Sequence, residues 1–270
     1  MRTALSSPDK VLFPAAGFTK AELAAYYERV APALLPHVAG RPLTLARFPE
    51  GIERYGWYQT NCKGQPDWMR TQRVGTQNYC VIDDLEGLLW AANLGAIELH
   101  PLPALAGDVE RPLVLVLDLD PGTGAGLADC CRVALRAREL LGHHGLDAVA
   151  KTSGAAGLHV YARLRSGETY AESKPLAWEL AARLTVEDPD RVTDRMSIAE
   201  REGKVFVDWN QNDRTRSLVA PYSLRAAFDR PTISTPLAWE EVERPDAFLF
   251  EPSDVIARIE RLGDLFAPAR

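Results

Sequence analysis

The sequence predicts an α+β fold, and three observations predict it. Capped amphipathic helical segments and short apolar strand segments are both present along the 270 residues, and they mix without the strict alternation of a doubly wound sheet. With 46% hydrophobic residues the chain can bury a substantial core. No repeat, low-complexity run or long linker divides it, so a single catalytic unit over residues 1–270 is the simplest organisation.

In chain order, FTKAELAAYYERVAPALLPHV (18–38) opens with Thr19 three residues before Glu22, a capping box, and continues at helical spacing. Residues 42–47 read as a strand and 85–95 as a second helix. A strand at 112–119 is followed by GLADCCRVALRARELLGHHG, a third helix stopped by Gly142 or Gly145. Strands at 148–152 and 157–164 flank a glycine turn. KPLAWELAARLT is a fourth helix, with Pro175 expected in its first turn. Strands follow at 204–210 and 216–222, and Ser253 is the expected cap of a last helix.

Composition excludes some classes. No run approaches the roughly 20 apolar residues of a membrane helix, and the N-terminus lacks the apolar stretch of a signal peptide, so a cytoplasmic location is expected. Cys62, Cys80, Cys130 and Cys131 have no zinc spacing and make a poor disulfide framework, so reduced thiols are expected. The net charge of −6 is unlike that of a typical nucleic-acid binder. Its distribution is uneven, however. Residues 1–75 carry ten Lys/Arg against six Asp/Glu, and residues 76–150 carry four against eleven. A basic third beside an acidic middle suits a polyanion held near a metal, and equally suits ordinary surface patterning.

The chemistry concentrates in LVLVLDLDPG. Residues two apart on a strand share a face, so Asp118 and Asp120 project together. Two such carboxylates repel unless a cation sits between them, and a hard divalent cation takes oxygen ligands. Pro121-Gly122 is expected to end the strand and leave the pair at its rim; a plain strand-end turn gives the same pattern. VFVDWNQNDR supplies a third carboxylate, Asp208, at another strand end; three could hold the two metal ions of phosphoryl transfer, and a purely structural third aspartate gives the same pattern. In KTSGAAGLHVYARL the glycine turn is expected to free backbone N–H groups for an anion, with Ser153 before it and His159 after it; a glycine-rich hairpin with no ligand fits the same residues. APYSLR places Arg225 after the expected 216–222 strand, within reach of a polyphosphate if the strands are neighbours.

The order DLDPG, TSGAAGLHV, VDWNQN and APYSLR resembles the polymerase domain of bacterial DNA ligase D, in the archaeo-eukaryotic primase superfamily. SPDKVLFPAAGFTKAELAAYY, GRPLTLARFPEG, WYQTNCKGQPDW, GAIELHPLP and TPLAWEEV extend the resemblance over nearly the whole chain. It implies a primase-polymerase fold, a central mainly antiparallel sheet with an RRM-like core flanked by helices, with residues 1–75 contributing DNA contacts. It also implies that Asp118, Asp120 and Asp208 are catalytic metal ligands for two Mn²⁺ or Mg²⁺ ions. Ser153, His159 and Arg225 would hold the triphosphate, with Gln211 close by and His100 near the incoming sugar or phosphates. Trp57 and Tyr58 would stack on base or template, or else pack in the core. Lys10 and Lys20 would hold the 5′-phosphate of a downstream strand.

The implied activity is template-dependent nucleotidyl transfer, by a DNA repair polymerase filling gaps or extending 3′ ends in non-homologous end joining. The implied partners are primer-template or gapped DNA with a 5′-phosphate and an NTP or dNTP with ribonucleotides favoured, with a DNA-end-binding protein and a separate ligase as further candidates. Family members commonly carry lysines where this chain has Ala46, Thr60 and Ala156, so weaker polyphosphate or DNA binding is expected. No KxDG ligase motif is present, which suits a stand-alone polymerase module or an excised one rather than a ligase. Two rival classes stay open: a catalytically weak DNA-end or 5′-phosphate binding module, and a metal-dependent nucleotide phosphoesterase.

Overall fold

The computed structural model describes residues 4–246 and 248–270. Two sheets divide the work. An N-terminal sheet is built on Pro42–Arg47, which pairs with Ala96–Pro101 along one edge. Trp57–Gln59 and Gln77–Val81 share the other edge, and Arg70–Val74 extends the hairpin outward. Leu43, Leu45, Ile97 and Leu99 turn one face of this sheet into a core with the Lys20–Val38 and Leu85–Asn93 helices. The alternate residues Thr44, Ala46, Glu98 and His100 therefore lie on the opposite face.

The second sheet has six strands in the order Val192–Thr193, Val205–Asp208, Val114–Pro121, Leu158–Arg163, Ala148–Thr152, Pro236–Leu237. Every pairing is antiparallel except the first, which is parallel. Leu115, Leu117 and Leu119 pack into a core with the Leu127–His143 and Tyr170–Glu187 helices. Val114 and Val116 point the other way, into a small cluster with Tyr161 and Phe266. That second face is also the face of Asp118 and Asp120. The chain then returns to the first core through Tyr222, Leu224, Ile233 and Val255, so the two halves are interlocked.

Several local expectations change. The 216–222 segment is irregular rather than a strand; Arg225 instead belongs to the short Leu224–Arg225 strand, paired with Thr232–Ile233. The fourth helix begins at Tyr170, where Thr169 and Glu172 form a capping box, so Pro175 lies in the second turn. Pro252 takes the first position of the last helix and Glu251 is its cap, not Ser253. The unforeseen strand Ala96–Pro101 follows the second helix after Gly95, whose φ of 69° makes the tight turn between them.

The cysteines also depart from expectation. Cys62 and Cys80 form a disulfide with Cα atoms 4.9 Å apart, while Cys130 and Cys131 are buried free thiols. The pairing is invisible in sequence spacing because the 70–81 hairpin creates it. A backbone bond of 2.6 Å from Cys62 N–H to Asn78 O draws the two segments together beside it. Among the described residues no helix is long and apolar enough to cross a membrane.

Candidate active site

The antiparallel registers set four side chains in a row across the second sheet. Asp208 faces Asp118, Asp118 faces His159, and His159 faces Lys151. Directly opposed residues lie on one face about 4.5–5.5 Å apart, so the row carries two carboxylates, an imidazole and a lysine amine in sequence, the last with its pKa pushed well below the ordinary lysine range by burial. Asp118 is thus not at a strand end. It is flanked by strands on both sides and only 7% exposed, because pairing continues to Pro121; Asp120 alone occupies the rim.

Burial pushes the Asp118 carboxyl up to about 6, against the opposing pull of Lys151 and Arg225. Asp120 is pushed up to about 7 by desolvation and by repulsion from Asp118 and Asp208, although its exposed position lets water screen part of this. Asp208 is raised by the same causes, desolvation first, and offset by hydrogen bonds from Asn210 N–H (3.0 Å) and Gln211 Nε2 (2.7 Å). His159 Nε2 lies 3.2 Å from Asp118 Oδ1, yet at an angle that makes no hydrogen bond, and that buried oxygen has no hydrogen-bond partner. An orphaned oxygen among three carboxylates that resist ionising together fits a hard divalent cation. Among the described residues no three such side chains are already gathered around one point.

The glycine turn opposes this row. Ser153 Oγ accepts from Ala155 N–H and Gly157 N–H, both at 3.1 Å. These two amides therefore stabilise the turn and do not face an anion as expected. Both glycines are demanded by close approach. Gly154 has φ of 72°, and a Cβ there would meet Arg225 Cγ at 2.6 Å. A Cβ on Gly157 would meet Leu119 O at 2.3 Å. Gly157→Ala is therefore expected to cost about 1–3 kcal/mol by overpacking and to lower activity by shifting the strand end that carries Asp120. Urea unfolding beside primer extension checks this, and wild-type values in both would refute it.

The facing wall comes from the first sheet. Glu98, 4% exposed, holds His100 Nε2 at 2.8 Å, lies 3.2 Å from Arg225 Nε, and accepts from Ala226 N–H at 2.8 Å. Arg225 also donates from Nη1 to Ser153 O at 2.7 Å, tying the two halves together. Burial holds the His100 imidazole below its ordinary value, with Glu98 pulling the other way. For the Glu98 carboxyl, burial raises the pKa, but the hydrogen bond from His100 and the charge of Arg225 outweigh it and leave it low.

Between the walls lies a cleft of about 700 Å³. Of the predicted residues, Asp118, Asp120, Ser153, His159, Arg225, Gln211, His100 and Tyr58 line it, with Asp208 in register behind. Tyr58 is 63% exposed and sits edge-on to His100, ring centroids 5.3 Å apart. Trp57 does not share this position. Adjacent strand residues point oppositely, and Trp57 instead stacks on Tyr55 beneath the Arg47 guanidinium. Tyr58 is too exposed for core packing, Trp57 is half-buried, and the strand turns the two rings to opposite faces.

Lys10 and Lys20 are adjacent, joined by Lys20 N–H to Lys10 O at 2.8 Å, but lie outside the cleft lining. Lys10 pairs with Glu50 at 2.7 Å. Lys20 is not a surface lysine: it is 7% exposed, and its ammonium donates to Ser6 O. Thr60 and Ala156 line the cleft, and Ala46 faces Tyr58 and Glu98 across the first sheet, so the absent lysines all bear on this site.

Sequence reasoning missed Lys151, Glu98, Arg201 and Arg216. The first two carried a signal: a charged residue inside a strand whose leading positions are apolar, in AVAKT and AIELHP. Arg201 reaches the cleft from an irregular loop and stacks over Phe206 at 3.7 Å, which no periodicity reveals.

Residues 19–266 match the family of the LigD primase-polymerase domain. The chain belongs to that family. It is 37% identical over 275 residues to the multifunctional non-homologous end joining protein LigD of Mycolicibacterium smegmatis, covering 99% of this chain and 36% of that protein. It is 30% identical over 261 residues to the bifunctional LigD of Bacillus subtilis, covering 96% of this chain and 42% of that protein. The LigD-family chain thus spans about two fifths or less of these relatives. The polymerase domain of Mycobacterium tuberculosis ligase D, solved in complex with DNA, superposes with a TM-score of 0.91 at 38% identity, over 98% of this chain and 96% of that one.

Proposed function

We propose that this chain is a metal-dependent, template-directed nucleotidyltransferase that fills gaps or extends 3′ ends during DNA end joining and accepts ribonucleotides. The observation that carries the reading is the cross-strand row of Asp208, Asp118 and His159, with Asp120 beside it and an orphaned Asp118 oxygen, facing the Arg225 wall. Asp118, Asp120 and Asp208 would hold two divalent ions, Mn²⁺ or Mg²⁺, which when bound activate the primer 3′-hydroxyl and neutralise the departing pyrophosphate.

The chain's own groups do the positioning. Arg225, fixed by Glu98 and Ser153, presents its guanidinium to the triphosphate. His159 and the Ser153 hydroxyl offer donors on the same side, and His100 meets the sugar end. Gln211 holds Asp208 in place. Tyr58 offers an exposed ring to a base, a contact worth about 1–3 kcal/mol and indifferent to sequence. Lys10, beside Glu50, is the more available of the two lysines for a downstream 5′-phosphate. Recruitment by a DNA-end-binding protein and sealing by a ligase complete the proposed context.

The test is primer extension on a gapped duplex with a 5′-phosphate, comparing Mn²⁺ with Mg²⁺ and ribo- with deoxynucleotides. Metal-dependent, templated addition is expected. Tight binding to the same DNA without incorporation would assign the chain to end binding, and nucleotide hydrolysis without primer would assign it to phosphoesterases.

A further inference from the structure

We propose that Lys151 is a positioning residue that fixes His159 in the tautomer with its proton on Nε2, the nitrogen turned toward Asp118 and the cleft. Lys151 is 0% exposed, the most deeply buried charged side chain of the site. Its Nζ lies 3.0 Å from His159 Nδ1 and 2.7 Å from Ser234 Oγ. Ser234 gives its own hydroxyl proton to Thr152 O at 2.8 Å, so toward Lys151 it has only lone pairs to offer. Lys151 must then donate to Ser234. Burial, with Arg225 adding to it and Asp118 opposing, holds the Lys151 pKa well below the usual lysine range. While it keeps its third proton it has three donors and no acceptor, and then it donates to His159 Nδ1 as well.

A neutral imidazole that accepts at Nδ1 carries its hydrogen at Nε2. That nitrogen stands 3.2 Å from Asp118 Oδ1 without a hydrogen bond, so its N–H remains to be spent on an incoming group. Backbone pairing holds all three partners in place. His159 and Lys151 are opposed residues of neighbouring strands, and Ser234 is anchored beside Thr152. The second contact fixes the lysine, and the lysine fixes the ring. Partners that orient a metal-ligating histidine through its far nitrogen change affinity or activity by about 10–100-fold when removed, and the lower end of that scale is the expectation for this non-ligating ring.

This rests on the nucleotidyltransferase reading for its kinetic part only. The ring tautomer is read directly by ¹⁵N NMR of histidine-labelled protein, the His159 signals being those lost in His159→Gln. Wild type is expected to show an unprotonated Nδ1 and a protonated Nε2. Lys151→Met is expected to mix the two tautomers and to raise KM for the nucleotide about tenfold, with a smaller fall in kcat; Lys151→Arg, which keeps the donor, should restore part of both. A protonated Nδ1 in wild type overturns the proposal even where Lys151→Met fails to fold. An unchanged tautomer in Lys151→Met overturns it as well. An Nε2–H tautomer in a protein that extends no primer upholds the positioning role and refutes the polymerase reading instead.

Discussion

Replacing Asp118 with asparagine is expected to abolish primer extension, a fall on the order of a thousandfold or more, while stabilising the metal-free protein. Both effects follow from one placement. The carboxylate is the central member of the row, opposed by Asp208 on one side and His159 on the other, and one of its oxygens has no hydrogen-bond partner. Without a cation that oxygen is a cost of folding. Its pKa, raised in the folded protein from 3.8 to about 6, means that the folded state holds the proton more tightly than the unfolded chain. The associated stability is present below about pH 4 and is lost as pH rises through about 6.

A shift of this size corresponds to on the order of 1–3 kcal/mol at pH 8. Asparagine has the same shape and never ionises, so Asp118→Asn should unfold at a higher temperature than wild type at pH 8 in EDTA. The gap should close toward pH 5. Added Mn²⁺ should reverse the order by stabilising wild type alone, since ions that bind only the folded state shift its equilibrium. Thermal unfolding at two pH values with and without metal reads all of this. A variant less stable than wild type at pH 8 in EDTA would show that the carboxylate is satisfied by the protein itself and needs no ion.

How much of this could be seen in the sequence depends on which physical rule governs each residue. Asp118 and Asp120 were legible because strand periodicity puts them on one face whatever the tertiary fold. Their surroundings were not. The Pro-Gly that follows suggested an exposed rim, but a neighbouring strand runs alongside as far as Pro121 and buries Asp118. Ser153 was legible as a member of the site, but not its hydroxyl's role in closing the turn, because that depends on the local path of residues 154–157. Trp57 and Tyr58 read as a pair, yet the strand they occupy separates them onto opposite faces. The family resemblance pointed to these aspartates as candidate ligands, and the register explains why the apolar strand around them does not conflict with two carboxylates. Leu115, Leu117 and Leu119 face the helices, and the aspartates face the cleft. The interlocking of the halves through Glu98 and Arg225 joins residues 127 positions apart and had no signature beyond a misplaced charge.

That contact carries the second large expectation. Glu98→Gln should lower stability by about 3 kcal/mol, the lower end for breaking a buried ion pair from one side, because the Arg225 side chain keeps 18% exposure and can draw on solvent. Glutamine can still accept from Ala226 N–H, so the fold should persist. What it cannot supply is charge for Arg225 and for the Glu98-bonded face of His100 together. The guanidinium would then be held only through Ser153 O and would sample positions off the triphosphate. A rise in KM for the nucleotide of about tenfold is expected, with kcat reduced less, since the carboxylate row is untouched. The stability term also has a direction with pH. Glu98 keeps its carboxyl below the ordinary range, so its contribution is present above that range and is lost as pH falls through the depressed value. The difference between wild type and Glu98→Gln should therefore shrink in acid. A stability loss with KM unchanged would make Glu98 a strut between the two halves and nothing more. A raised KM at intact stability would instead place its whole role in aiming Arg225, leaving the interlocked cores to hold the halves together.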